Sequence, residues 1–282
     1  MFSTYNLDDV TILLKDISGL VKPQTTQERE ILIQSGRHYS EMLPIEYEPS
    51  EAYLRTYYNA LDRYSTITAE AVGSVADWIY SDKGKDVVLV SLARAGTSIG
   101  ILIKQYIEQK YHCKIKHYTI SIIRGVGIDK NAMNYILERH NPKSIQFVDG
   151  WTGKGAIQKQ LVKAMKDYSN VDSGLAVLSD PAHIADKYGT HEDFLIASSC
   201  LNSTVSGLLS RTFLRSDIIN KNDFHGAAFY SNLKDKDLTY QFINNIESKF
   251  NFSEIHKNKA AVKDNSGLDE VHKIAKEFEL VT

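Results

Sequence analysis

The sequence predicts an α/β fold: a mostly parallel sheet with helices on both faces, preceded by a helical N-terminal elaboration. Three observations carry this. β-Branched apolar runs recur at 86–96, 115–123, 144–150 and 174–180, amphipathic stretches alternate with them, and polar glycine-bearing loops fall where run meets stretch. Strands that are apolar throughout, rather than alternating, belong to sheets buried on both faces, and their alternation with helices implies right-handed crossovers.

The first 50 residues read as irregular, with one short helix around 27–35. From Pro49 to Ile79 the residues Leu54, Tyr57, Tyr58, Leu61, Tyr64, Ala71, Val75, Trp78 and Ile79 trace one face of a long helix. DVVLVSLARAG (86–96) leads into TSIGILIKQYIEQ (97–109), where Ile99, Ile103, Tyr106 and Ile107 share a helical face. IKHYTISII (115–123) passes through RGVGID (124–129) to a helix over 129–139. SIQFVDG (144–150) passes through WTGKG (151–155) to a helix over 156–168, and GLAVLSD (174–180) ends at Pro181. The chain divides into a domain over 1–250 and a charged tail over 251–282, in which VHKIAKEFEL (271–280) reads as an amphipathic helix suited to capping the domain or joining a homo-oligomer.

Thirty-three Lys and Arg against 35 Asp and Glu leave a net charge of -2, which excludes a broad basic surface. Nucleic-acid binding would need a local patch and is not expected of this chain alone. No stretch approaches the ~18 apolar residues of a membrane span, and Asp8, Asp9, Lys15, Asp16 and Lys22 argue against a signal peptide or anchor. Two cysteines, Cys113 and Cys200, make a disulfide framework unexpected and suit the cytoplasm. No zinc-type spacing is present.

The loops at strand ends concentrate the chemistry, as expected of open α/β sheets. In IQFVDGWTGKGAI (145–157) a strand delivers Asp149, and Gly150, Thr152, Gly153, Lys154 and Gly155 open a helix whose first amides lack partners, a cradle for a phosphate. Asp149 suits ribose hydroxyls, a magnesium ion or proton transfer at a reacting sugar. In VSLARAGTSIG (90–100), Arg94 stands among small residues, and the amides of Ala95, Gly96 and Thr97 can face an oxyanion such as pyrophosphate, with Ser91 on the preceding strand. The plain alternatives are a tight βα turn with Asp149 as helix N-terminal support, and Arg94 paired structurally with a carboxylate.

The segments SLARAGTSIG, HYTISIIRGVGID, IQFVDGWTGKGAI, SDPAHIADKYGTHEDFLIASSCLNSTVSGLLSRT and DFHGAAFY resemble the phosphoribosyltransferase-like proteins of tellurite-resistance (Ter) gene neighbourhoods, also named the StiP cysteine protease family. The likeness covers roughly residues 1–250. It implies a type I phosphoribosyltransferase-like fold, pyrophosphate at the Arg94 loop, the phosphoribosyl group at 149–156, and a mobile loop at 124–129 with Arg124 facing the pyrophosphate. Members often continue into a Pelota-like domain, for which this chain is too short. The usual motif carries two adjacent acids; here Gly150 follows Asp149, which weakens magnesium ligation at this loop. The protease name points to Cys200 and His225, with Asp223 or Asn202 to orient the imidazole.

Ser203, Thr204 and Ser206, with Gly207 at a helix start, would bind a further phosphate or an acceptor, and Phe224 and His225 would form a hood over a planar acceptor; an N-capped packing helix is the alternative for 201–211. The leading expectation is a magnesium-assisted transfer of a phosphoribosyl group from a sugar phosphate, in a Ter-linked stress or metabolite pathway. A cysteine protease using Cys200 and His225 is the alternative, and a catalytically silent ligand sensor a second one.

Overall fold

A computed structural model describes residues 3–253 and 266–277. Two short strands, β1 (Thr11–Ile12) and β2 (Lys15–Asp16), open the chain, followed by helix α1 (Thr26–Gln34). Thr25 and Glu28 cap α1 reciprocally, each side chain accepting from the other residue's amide. Ser50 caps α2 (Glu51–Lys83), which Gly84 ends at φ 69°. The stripe read from the sequence buries Tyr57, Leu61, Val75 and Ile79, whereas Tyr58 turns outward and is 44% exposed.

The remaining elements follow the predicted alternation: β3 (Val88–Ala93), α3 (Ala95–Tyr111), β4 (Lys116–Ile123), β5 (Gly127–Ile128), α4 (Lys130–Leu137), β6 (Ile145–Val148), α5 (Ala156–Met165) and β7 (Leu175–Ser179). Then come β8 (Lys187–Thr190), β9 (Gly226–Ala227), α6 (Thr239–Glu247) and α7 (Ser266–Glu277). The expected tail helix over 271–280 lies in α7 up to Glu277, and its last three positions lie outside the described residues.

The main sheet runs β1-β4-β3-β6-β7-β8 with every neighbouring pair parallel, and β5 adds to β4 antiparallel. Side chains alternate across it, so Leu89 joins one apolar layer while Val88, Val90 and Leu92 join the other. The first layer packs α2, α3 and α6, through Val75, Ile103 and Phe242 among others; the second packs α4 and α5 through Met133, Ile136 and Leu161. This is the expected doubly covered α/β sheet. β2 and β9 form a separate parallel pair over a small third core that includes Ile17 and Phe213.

Three local readings change. Residues 124–126 are a tight turn joining β4 to the antiparallel β5. Residues 201–211 form no α-helix: one 3₁₀ turn over Ser203–Val205 ends where Gly207 and Leu208 take φ 67° and 57°, which no helix continues through. β8 closes the sheet although its sequence, KYGT, carries no apolar run; its Gly189 lies against the Ala71 backbone, and Tyr188 meets Trp78 edge to face at 5.6 Å.

Gly100 of α3 sits over a buried hydrogen bond, Ser91 Oγ to His117 Nε2 at 2.8 Å, and a β-carbon there would run into both side chains. Gly100→Ala is therefore expected to destabilise the fold by about 3 kcal/mol, combining overpacking with a disrupted buried hydrogen bond. Urea unfolding checks this.

Candidate functional site

β3 passes to α3 through one residue, Arg94, which occupies the N-cap position of the helix; the Ala93–Arg94 peptide is cis. The arginine reaches across the carboxyl ends of the strands. Its Nη1 donates to Leu209 O at 3.0 Å and its Nη2 to Asn202 Oδ1 at 2.9 Å. Burial lowers the guanidinium pKa, with Glu46 and Tyr230 pulling the other way. On the far side Glu46 Oε1 accepts from the Ser203 amide at 2.9 Å and from Ser203 Oγ at 2.8 Å. Residues 202–209 are thus clamped between a cation and a carboxylate.

A cleft of about 370 Å³ opens below that clamp, lined by Arg94, Ala95, Ile99, Asp149, Gly150, Trp151, Ile196, Ser198, Ser199, Leu201, Asn202, Val205 and Ser206. Asp149 continues β6, its amide donating to Ala176 O at 3.0 Å, and its Oδ1 accepts from the Gly150 amide at 2.8 Å. Burial nevertheless pushes its carboxyl up to about 7. Of the residues lining this cleft, it is the one whose charge changes near neutrality. A second chamber of about 530 Å³, lined by Tyr64, Trp151, Asp193, Phe194, Leu195, Ile196 and Ser199, shares Trp151, Ile196 and Ser199 with the cleft. Trp151, 49% exposed, donates from Nε1 to Asp193 Oδ1 at 3.1 Å and lays its ring over Gly153.

The expected site residues are thereby sorted. Arg94, Ala95, Asp149 and Gly150 share the cleft. Ser91 is engaged by His117, Thr97 Oγ1 bonds Thr119 Oγ1 at 2.8 Å, the Thr97 amide donates to Arg94 O, and Gly96 is pressed on the β6 backbone at Val148. So, of the nest expected of the Ala95, Gly96 and Thr97 amides, that of Thr97 is taken up by the start of α3. Beyond Asp149, Thr152 is buried with its amide on Ser179 O, Lys154 is exposed, and Gly155 at φ 73° caps α5 with no side-chain acceptor for the first amides. The cradle at 152–156 lies beside the cleft, and Thr152, Lys154 and Gly155 are not among its lining residues.

Arg124 is exposed at the β4–β5 turn, its amide donating to Tyr39 Oη at 3.0 Å, and does not line the cleft. Ser203 is held by Glu46, and Thr204 Oγ1 is buried without a protein partner among the described residues. Phe224 packs on Tyr135, 6.1 Å centroid to centroid, and His225 lies at β9, so the four do not form one acceptor pocket. Nor is the expected Cys200–His225 pair formed. His225 Nδ1 bonds Ser121 Oγ at 2.8 Å, its amide donates to Asp129 Oδ2 at 2.6 Å, and burial holds its imidazole pKa down. Cys200 ends a 3₁₀ turn over Ala197–Cys200 and packs into the α2 layer beside Tyr57; burial alone pushes its thiol up. Sequence reasoning missed Trp151, Ile196, Ser198 and Ser199 as cleft residues. The signal for Trp151 was an indole in a glycine loop, where no core needs it.

Among the described residues a metal is not well provided for by side chains. Among the described residues no group of three His, Cys, Asp or Glu side chains is placed to hold an ion. Magnesium, which takes six oxygen ligands, would find one carboxylate at Asp149. No helix among the described residues is long and apolar enough to cross a membrane.

Comparison with known proteins gives two kinds of likeness. The family model described as "Tellurite-like stress resistance cysteine protease StiP" matches residues 3–247. The chain is 35% identical, over 296 aligned residues, to "Cysteine protease StiP" of Acinetobacter baylyi, covering 98% of this chain and 76% of that protein. Similar solved structures include the xanthine-guanine-hypoxanthine phosphoribosyltransferase of Helicobacter pylori, 15% identical over 49% of this chain and 79% of that one, TM-score 0.28. The hypoxanthine phosphoribosyltransferase of Trypanosoma cruzi is 15% identical over 48% and 74%, TM-score 0.32.

Because the Asp149 carboxyl keeps its proton up to about 7 in the fold but sheds it near 3.8 when unfolded, the unfolded chain is favoured progressively as pH rises through that window. Asp149→Asn is expected to raise the melting temperature above pH 7, with the advantage shrinking as pH falls and lost below 3.8. Thermal melts across that range check it.

Proposed function

The chain belongs to the StiP family of tellurite-like stress resistance cysteine proteases, and from that premise we propose that it is itself a cysteine protease with Cys200 as nucleophile. One observation carries the choice of thiol. Ser198, Ser199, Leu201 and Asn202, on both sides of Cys200, wall the cleft that holds Asp149, and that cleft shares Trp151, Ile196 and Ser199 with the apolar chamber of Tyr64, Phe194 and Leu195. An extended peptide with a large apolar side chain suits such a pair of cavities. Cys113 instead lies between α3 and β4, beside His112 and Glu108.

The chemistry follows in two halves. The Cys200 sulfur forms a bond to the peptide carbonyl carbon, the C–N bond breaks, and the amine leaves with a proton. Asp149, with its carboxyl near 7, is suited in its ionised form to take the thiol proton as the sulfur attacks and to pass it to the leaving amine, then to take a proton from the water that cleaves the thioester and to return it to the departing sulfur, which restores the thiol. In the conformation described the thiol is seated against the apolar layer and raised in pKa, which is a resting state. Formation of the thiolate requires the 196–202 segment to turn the sulfur toward the cleft.

A second reading, binding of a sugar phosphate, is supported by the uncapped α5 start behind Gly155 and by Asp149 at the end of β6. One experiment separates the two. Wild type, Cys200→Ala and Cys113→Ser are compared for hydrolysis of casein, with melting temperatures recorded with and without phosphoribosyl pyrophosphate and magnesium. The expected result is a loss of roughly a thousandfold or more in Cys200→Ala alone. Equal hydrolysis by Cys200→Ala would overturn the protease reading, and a ligand-induced rise in melting temperature without any proteolysis would transfer the site to the second reading.

A further inference from the structure

The opposite end of the sheet carries a feature that the proposed activity does not use. The parallel register sets Val88 of β3 beside Lys116 of β4 and Ile145 of β6, so the amino ends of three adjacent strands begin side by side. Around them lies a groove of about 780 Å³, lined by Asp82, Lys83, Lys85, Asp86, Val87, Val88, Lys114, Ile115, Lys116, Arg139, His140, Asn141, Lys143 and Ser144. Its cations arrive from the loop after α2, the turn before β4 and the turn before β6.

Several of these charges are already matched. Lys83 pairs with Asp82 and Asp172, Lys114 with Glu108, and Arg139 with Glu138. Lys85, Lys116 and Lys143 are exposed and form no ion pair among the described residues, against one unpaired acid in the lining, Asp86. A second sign of the local field is His140. Its Nε2 bonds Tyr118 Oη at 2.8 Å, and burial, with Lys116 and Arg139 adding to it, holds the imidazole below its ordinary pKa.

The lining also says what kind of polyanion fits. An acidic protein segment docks with apolar anchors, and a single nucleic-acid strand docks by stacking bases on aromatic faces. This groove offers neither: its apolar residues Val87, Val88 and Ile115 are buried, and its one ring, His140, is occupied by Tyr118. Spaced lysines without stacking platforms match a rigid line of phosphates read by charge alone.

We infer that the groove at the amino ends of β3, β4 and β6 binds the phosphodiester backbone of duplex nucleic acid, without base specificity, through Lys85, Lys116 and Lys143. This site is separate from the cleft and does not rest on the protease reading.

The test is fluorescence anisotropy of the full chain with labelled duplexes of two unrelated base sequences, in DNA and RNA form, over a salt series. A single strand of equal length and poly-glutamate serve as competitors. Three lysines on phosphates should give a slope of about -3 in log affinity against log salt, equal for both sequences, since each phosphate contributes about -0.9. Lys85→Glu/Lys116→Glu/Lys143→Glu should bind at least tenfold more weakly while circular dichroism stays that of wild type. If that variant does not fold, Lys116→Gln should flatten the slope by about one. No binding at low salt, a salt slope near zero, unchanged affinity in the folded triple variant, an unchanged slope in Lys116→Gln, tighter binding of the single strand, or displacement by poly-glutamate in preference to duplex would each overturn the inference.

Discussion

The cleft depends on one side chain spanning it. Arg94 is both the N-cap of α3 and the partner of Asn202 Oδ1 and Leu209 O, so the first strand-to-helix junction and the wall carrying Cys200 are one mechanical unit. Hydrogen bonds from a charged donor contribute about 1.5–3 kcal/mol, enough to decide whether an irregular segment is ordered. The wall contains two 3₁₀ turns, Ala197–Cys200 and Ser203–Val205, and two residues at positive φ, with Glu46 on Ser203 as the matching clamp behind it and the Leu238 and Tyr230 amides on Thr204 O and Leu208 O beyond.

The same arrangement leaves the thiol and the imidazole of the expected pair with separate partners. Cys200 is packed into the α2 layer beside Tyr57, and His225 is bonded to Ser121 and Asp129. A thiol raised by burial and an imidazole lowered by burial make a poor acid–base pair even before geometry is considered. Asp149 behaves oppositely, held near neutrality within the cleft.

The fold was readable because its signals are local and strong. The runs that became β3, β4, β6 and β7 are largely apolar, and the intervening helices have clear periodicity, so the strands, the helices and the doubly covered sheet followed from pattern alone. β8 escaped because KYGT is ordered by α2, through Gly189 on Ala71 and Tyr188 on Trp78, not by its own composition. At the site, Arg94 and Asp149 were visible as polar residues at strand ends. The pairing of Cys200 with His225 came from the family's protease name, and no local pattern shows that Ser121 and Asp129 engage His225 while Cys200 packs on the α2 layer. The basic groove escaped for the converse reason: Lys85 and Lys143 come from two separate turns and Lys116 from the start of β4, and they vanish in a net charge of -2.

Hydrogen exchange of Arg94→Ala tests the central claim most directly. In wild type the amides of Ser206, Leu208 and Leu209 are bonded within the wall, to Ser203 O and Ser206 O. Without the guanidinium they should exchange about tenfold faster or more, while amides in β7 keep their protection. Unchanged exchange over 203–209 would contradict the account, because the wall would then be held by something other than Arg94.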